Sequence, residues 1–142
     1  MLHTELVSPV QVQALGHVVL KVRDLERSEG FYVGLLDMKA VMRISEPRMT
    51  FFAFEASGNH HDFALMEVRA VDTSSANHEV TGLGHVAFKV GSSAEELRRA
   101  LNTLRKSETP ILYEVERGFA KSVHVLDPDG NEIELYVDTT GA

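Results

Sequence analysis

The sequence contains no cysteine. Disulfides and thiolate ligands are therefore both excluded, and any metal held by the protein must take His, Asp or Glu. Basic residues are few, 14 Lys and Arg against 21 Asp and Glu, and they are scattered singly rather than striped along a face. With a formal charge of −7, neither nucleic acid nor an anionic membrane surface is an expected partner. No apolar run approaches the roughly 20 residues of a membrane span, and the first 14 residues lack a basic start followed by an apolar stretch, so a cytoplasmic, soluble chain is expected. A glycine-rich phosphate loop, a Gly-x-Ser-x-Gly elbow and a cysteine nucleophile are all missing, which removes the commonest signatures of nucleotide binding and acyl transfer.

What is present fits a folded protein: 44% of the 142 residues are apolar and 25% are charged. That length matches a single domain spanning 1–142. Its most informative feature is an internal repeat. The octapeptide LGHVVLKV of residues 15–22 returns as LGHVAFKV at residues 83–90, with six of eight positions identical. Each copy is an apolar, β-branched run that reads as a strand and leads into a helical segment. In the second half, Ser92 or Ser93 can cap a helix, Glu95 and Glu96 can complete a capping box, and Ala94, Leu97, Leu101 and Leu104 mark one apolar face. In the first half, Asp24 is the expected cap, with Leu25, Phe31, Tyr32, Leu35 and Leu36 forming the apolar face and an exit near Asp37.

After each helix come three extended runs, over residues 39–44, 49–55 and 61–68, and then 111–115, 120–126 and 132–138. Turn residues separate them: Glu46 and Pro47, Ser57 to Asn59, and Asp127 to Asn131. The expected fold is α+β, with βαβββ modules over 13–68 and 83–138 joined by a linker at 69–82. Eight strands and two helices would form a curved mixed sheet, a half-barrel with helices on its outer face.

Strand alternation places His17 opposite Val18, Leu20 and Val22, and His85 opposite Val86, Phe88 and Val90. In the last strand Ile133, Leu135 and Val137 form the apolar set, which sends Glu132, Glu134 and Tyr136 to the other face. A lone histidine at a strand start is usually a surface residue or a hydrogen-bonding one. Two at matched positions of a repeat, with a carboxylate on the final strand, point to a divalent cation between His17, His85 and Glu134.

These residues resemble the vicinal oxygen chelate superfamily, which groups glyoxalases, bleomycin-resistance proteins, epimerases and type I extradiol dioxygenases. The resemblance is carried by GHVVL at 16–20, FYVGLL at 31–36, GHVAFKV at 84–90 and DPDGNEIELY at 127–136, and it covers residues 13–138. It implies paired βαβββ modules with metal ligands on the first and last strands, which again fall on His17, His85 and Glu134. Glyoxalase-like members usually draw a fourth ligand from the last strand of the first module. Here that stretch offers Ala64 or Met66, and Asp62 or Glu67 only with a shifted register.

A three-ligand site with open positions suits a two-His, one-carboxylate Fe(II) centre. The tract HDFAL at 61–65 is similar to the extradiol segment that supplies an acid/base histidine, a role that falls here on His61. His124 stands where those enzymes typically carry a tyrosine, and is expected to act in the pocket. Arg117, where a histidine is common, can bind an anionic substrate group, and Tyr136 is expected to contact substrate. His3 and His78 lie in the tail and linker and are expected to be solvated. The resemblance implies an Fe(II)-dependent ring-cleaving dioxygenase acting on a small aromatic catechol with O2, and a homodimer. Two alternatives stand beside it: a glyoxalase-like isomerase or lyase using Mn(II), Ni(II) or Zn(II), and a metal-free binding protein of the bleomycin-resistance kind.

Overall fold

A computed structural model describes residues 8–69 and 81–139. His3, His78 and nearly all of the expected linker lie outside those residues. The first octapeptide forms β1 (Val18–Val22), which leads into α1 (Leu25–Glu29). Asp24 caps α1 as expected, its carboxylate accepting from the Arg27 backbone N–H at 3.1 Å. The helix then widens into a π-helical turn over Gly30–Leu35, which lets the adjacent residues Phe31 and Tyr32 both enter the core. The chain leaves through Asp37, whose φ of 58° lies in the left-handed region that Asp tolerates better than most residues. β2 (Ala40–Ser45), β3 (Arg48–Phe52) and β4 (Phe63–Glu67) follow.

The second half repeats the plan with β5 (Val86–Gly91), α2 (Ala94–Lys106), β6 (Ile111–Glu116), β7 (Ala120–Leu126) and β8 (Glu132–Asp138). Ser93 is the cap of α2. Its hydroxyl accepts from the Glu96 N–H, while the Glu96 carboxylate takes the Ser92 N–H at 2.9 Å and the Ser93 hydroxyl at 3.0 Å, a reciprocal box. Those bonds, the Ser92 N–H foremost, hold the Glu96 carboxyl below its ordinary pKa. Leu97, Leu101 and Leu104 are buried along one face, while Ala94, in the first turn, stays exposed.

The fold is α+β with paired βαβββ modules, and the eight strands divide into two four-stranded mixed sheets, one per module. Their orders are β1-β4-β3-β2 and β5-β8-β7-β6, each with one parallel pair at the β1 or β5 side. Alternation along β1 and β8 follows the apolar pattern: Leu20 and Val22 are buried, as are Ile133, Leu135 and Val137. Val90 departs from it and is exposed, because a bulge between Lys89 and Gly91 shifts the register at the end of β5. β4 begins at Phe63 rather than His61. The Asp62 carboxylate instead closes the preceding loop, accepting from the Phe54 N–H at 2.7 Å, the Ser57 hydroxyl at 2.9 Å and the Asn59 amide at 2.8 Å.

The modules share one apolar core. Phe63 of the first meets Phe88 of the second at a ring separation of 5.3 Å, and Phe54 meets Phe88 at 5.8 Å. Polar contacts fasten the same junction. The Tyr32 hydroxyl donates to Asp127 at 2.6 Å, and buried Asp129 accepts from Arg23, Arg27 and Ser28. Among the described residues no helix is long and apolar enough to cross a membrane.

Candidate metal centre

Because the two sheets repeat in register, each position on one has a counterpart on the other. Val19 pairs with Ala64 and Ala64 with Phe51, just as Ala87 pairs with Glu134 and Glu134 with His124. One strand further out, Met42 pairs with Phe51 as Tyr113 pairs with His124. The first module thus presents His17, Met42, Phe51 and Ala64 where the second presents His85, Tyr113, His124 and Glu134. Related frames carry opposite chemistry, one face nearly all apolar and the other densely polar.

On the polar face His85 Nε2 lies 3.0 Å from Glu134 Oε1, and His124 Nε2 lies 3.7 Å from the same oxygen. The three side chains each bring one donor atom to within 4.8 Å of the other two. Exposure falls from His85 to Glu134 to His124, whose side chain is only 8% accessible. The deep end is fixed by a second carboxylate. Glu132 Oε2 accepts from His124 Nδ1 at 2.7 Å and from the Tyr113 hydroxyl at 2.7 Å, and the Tyr113 and His124 rings stack with centroids 4.5 Å apart. Burial alone would push the Glu132 carboxyl up, but the bonds from Tyr113 and His124 together outweigh it and hold it below its ordinary range. The Tyr113 hydroxyl moves the other way, chiefly because it donates to Glu132, and the positive charge of Arg117 opposes that rise.

His61 lies against His17, ring centroids 4.4 Å apart, and meets Phe51 at 5.0 Å. His60 is exposed. The structure therefore brings the expected site residues together in two groups: His85, Glu134 and His124 on the second module, and His17 with His61 on the first. Among the described residues, the three-donor groups are His85, His124 and Glu134, and Asp24, Glu26 and Glu67. His17 belongs to neither. Arg117 is exposed in the turn between β6 and β7, and Tyr136 is half-buried on β8 opposite Lys89 and Ser122.

In the acidic group at the start of α1 two of the three carboxylates are already engaged. Arg48 bridges Glu26 and Glu67, the Glu67 contact measuring 2.8 Å, and Glu67 also accepts the Leu25 N–H at 2.9 Å. With Glu67 committed there and Asp62 committed to its loop, neither replaces Ala64 as a ligand from the first module. Sequence reasoning placed Glu132 on the site face without giving it a task and did not single out Tyr113. The shared parity of Glu132 and Glu134 was the available signal for the first. Tyr113 had none, since its pairing depends on a bulge between Ile111 and Tyr113.

The donor set of two imidazoles and a carboxylate fits a divalent first-row metal, and the absence of sulfur argues for a harder cation than a thiolate site would select. The family model described as "Glyoxalase/Bleomycin resistance protein/Dioxygenase superfamily" matches residues 14–135. The lactoylglutathione lyase of Escherichia coli O157:H7 is 32% identical over 124 residues, covering 84% of this chain and 88% of that protein. The biphenyl-2,3-diol 1,2-dioxygenase 3 of Rhodococcus globerulus is 27% identical over 124 residues, covering 87% of this chain but 63% of that one. Among solved structures, a glyoxylase/bleomycin resistance protein/dioxygenase domain from Frankia sp. EAN1pec superposes with a TM-score of 0.76 at 23% identity, over 93% of this chain and 96% of that one, which shows a common fold.

Proposed function

The chain belongs to the Glyoxalase/Bleomycin resistance protein/Dioxygenase superfamily, and on that premise we propose that it is a metal-dependent dioxygenase of the extradiol type, acting on a small catecholic substrate. The observation that carries this reading is Ala64, buried at the position that corresponds to Glu134. Where a lyase of this family would use a second carboxylate, this face offers none, and His61 stands beside His17 instead.

His85 and Glu134 are the proposed ligands from one chain, completed by His17 from a second copy in a homodimer. The open, partly apolar faces suit such closure: Val19, Met42 and Tyr113 are 38%, 50% and 49% exposed. Fe(II) bound there would supply Lewis-acid contact for two neighbouring substrate oxygens and redox access to O2. Phe51 and Met42 would form an apolar wall for an aromatic ring. A nitrogen of His61 would accept a proton from a substrate hydroxyl, a transfer suited to an imidazole near neutral pH. Tyr136 and Arg117 would border the substrate, with Arg117 favouring an anionic substituent.

A lyase or isomerase is the second reading, favoured by the 32% identity to a lactoylglutathione lyase over most of both chains. An oxygen electrode separates the two. Oxygen uptake with a panel of catechols, reduced about 10²- to 10⁴-fold in His61→Ala while metal content holds, is the expected result. Turnover of a hemithioacetal with Ni(II) or Zn(II) and no oxygen uptake would replace this reading with the lyase.

A further inference from the structure

The polar face of the second module is more complete than the proposed function requires. We propose that this module carries a cation site of its own, with His85, His124 and Glu134 as ligands and Glu132 as the residue that fixes the His124 ring. The inference rests on the metal-dependent reading above and adds His124 to its ligand set.

Glu132 is a carboxylate and only accepts, so the 2.7 Å contact places the proton on His124 Nδ1. The other ring nitrogen, Nε2, is the one turned toward Glu134, 3.7 Å from Oε1 and too far for a direct hydrogen bond. His85 Nε2 reaches the same oxygen at 3.0 Å. A cation among the three would take one donor atom from each. Ligand atoms about 2.1 Å from a first-row metal lie about 3 Å apart when adjacent, close to the 3.0 and 3.7 Å that separate Glu134 Oε1 from the two imidazoles.

The deep end is also rigid. His124 and Glu132 are 6% and 7% exposed, and Tyr113 both stacks on the ring and donates to the carboxylate. Carboxylates that receive the far N–H of a ligating histidine orient the ring and raise its basicity. Divergence between the modules points the same way, because the counterparts of His124 and Glu134 are Phe51 and Ala64. Metal-binding capacity has been concentrated on one module.

The test is a Co(II) titration of the purified full chain under argon, read by visible d–d absorption and by equilibrium dialysis with elemental analysis. His124→Phe is the main variant, since phenylalanine occupies the corresponding place in the first module. Glu132→Gln, which keeps shape and volume, is the second, and a far-UV spectrum establishes that each is folded. The proposal expects about one Co(II) per wild-type chain and at least about a tenfold weakening in His85→Ala and His124→Phe. Glu132→Gln should weaken binding about 10- to 100-fold and alter the absorption bands. Should His124→Phe lose its fold, Glu132→Gln decides by the same criterion. Wild-type-like titration of the His124 and Glu132 variants beside a defective His85→Ala would overturn this proposal and leave the metal-dependent reading standing. Absence of Co(II) binding by the wild type would overturn both.

Discussion

Replacing Tyr32 by Phe removes one oxygen atom from the junction of the two modules and little else. Tyr32 is fully buried, and its ring contacts with Phe31 and Phe63, at centroid distances of 4.9 and 5.3 Å, survive the change. What is lost is the 2.6 Å bond to Asp127. Burial, and then the negative charge of Asp127, pushes the Tyr32 hydroxyl far above its ordinary pKa, so it stays a donor at any working pH. A hydrogen bond to a charged group contributes about 1.5 to 3 kcal/mol. The lower part of that range applies, because Asp127 Oδ2 keeps the Asn131 amide at 3.0 Å and Oδ1 keeps the N–H groups of Asp129 and Asn131.

At about 2.1 cal/mol/K per residue, the unfolding entropy of a 142-residue chain is about 0.3 kcal/mol/K, so a loss of about 1.5 to 2 kcal/mol lowers Tm by about 5 to 7 °C. Circular dichroism melts at one pH and one protein concentration measure it, the latter fixed because any self-association makes Tm depend on concentration. In a double-mutant cycle with Asp127→Asn the coupling should reach about 1 kcal/mol. A Tm shift under about 1 °C would refute the claim that this bond fastens the modules together.

Three further outcomes follow from the same reasoning. The Arg43 hydrogen bond, with Thr50 adding to it, holds the folded Glu29 carboxyl below its ordinary value, so its contribution is present above the unfolded carboxyl range and lost as pH falls through the folded pKa; Glu29→Gln should flatten the Tm-against-pH curve between about pH 5 and 3, and an unchanged slope would contradict this. A Cβ at Gly91 would sit 2.7 Å from Glu96 Cβ, so Gly91→Ala should cost about 1 to 3 kcal/mol in urea unfolding by displacing the residue that completes the α2 cap. Asp129→Ala removes the shared acceptor of Arg23, Arg27 and Ser28 and should lower the urea midpoint by about 1 to 3 kcal/mol equivalent, whereas a midpoint unchanged within error would show that these bonds add nothing net.

Much of the fold was legible because the octapeptide repeat fixes two strands at once and each is followed by a capped amphipathic helix. Alternation placed Leu20, Val22, Ile133, Leu135 and Val137 correctly in the core. It failed at Val90, where a bulge, invisible to a period-two reading, turns the side chain out. β4 was drawn two residues too early, from His61 rather than Phe63, since the side chain of Asp62 ends the loop there. At the site, parity alone paired His85 with Glu134. That His124 and Glu132 join them depends on the antiparallel register of β7 against β8, which no local pattern encodes. The separation of His17 from that group is set by how the modules pack, through Tyr32, Asp127, Phe63 and Phe88, a long-range arrangement beyond the reach of spacing.

The central claim is that a divalent metal resides on the face built by His85 and Glu134. Elemental analysis of protein purified without oxygen, repeated on His85→Ala, tests it most directly. The account predicts close to one equivalent of a first-row metal, iron foremost, in the wild type and a loss of at least about tenfold in the variant. Less than about a tenth of an equivalent in the wild type, unchanged by the substitution, would contradict it.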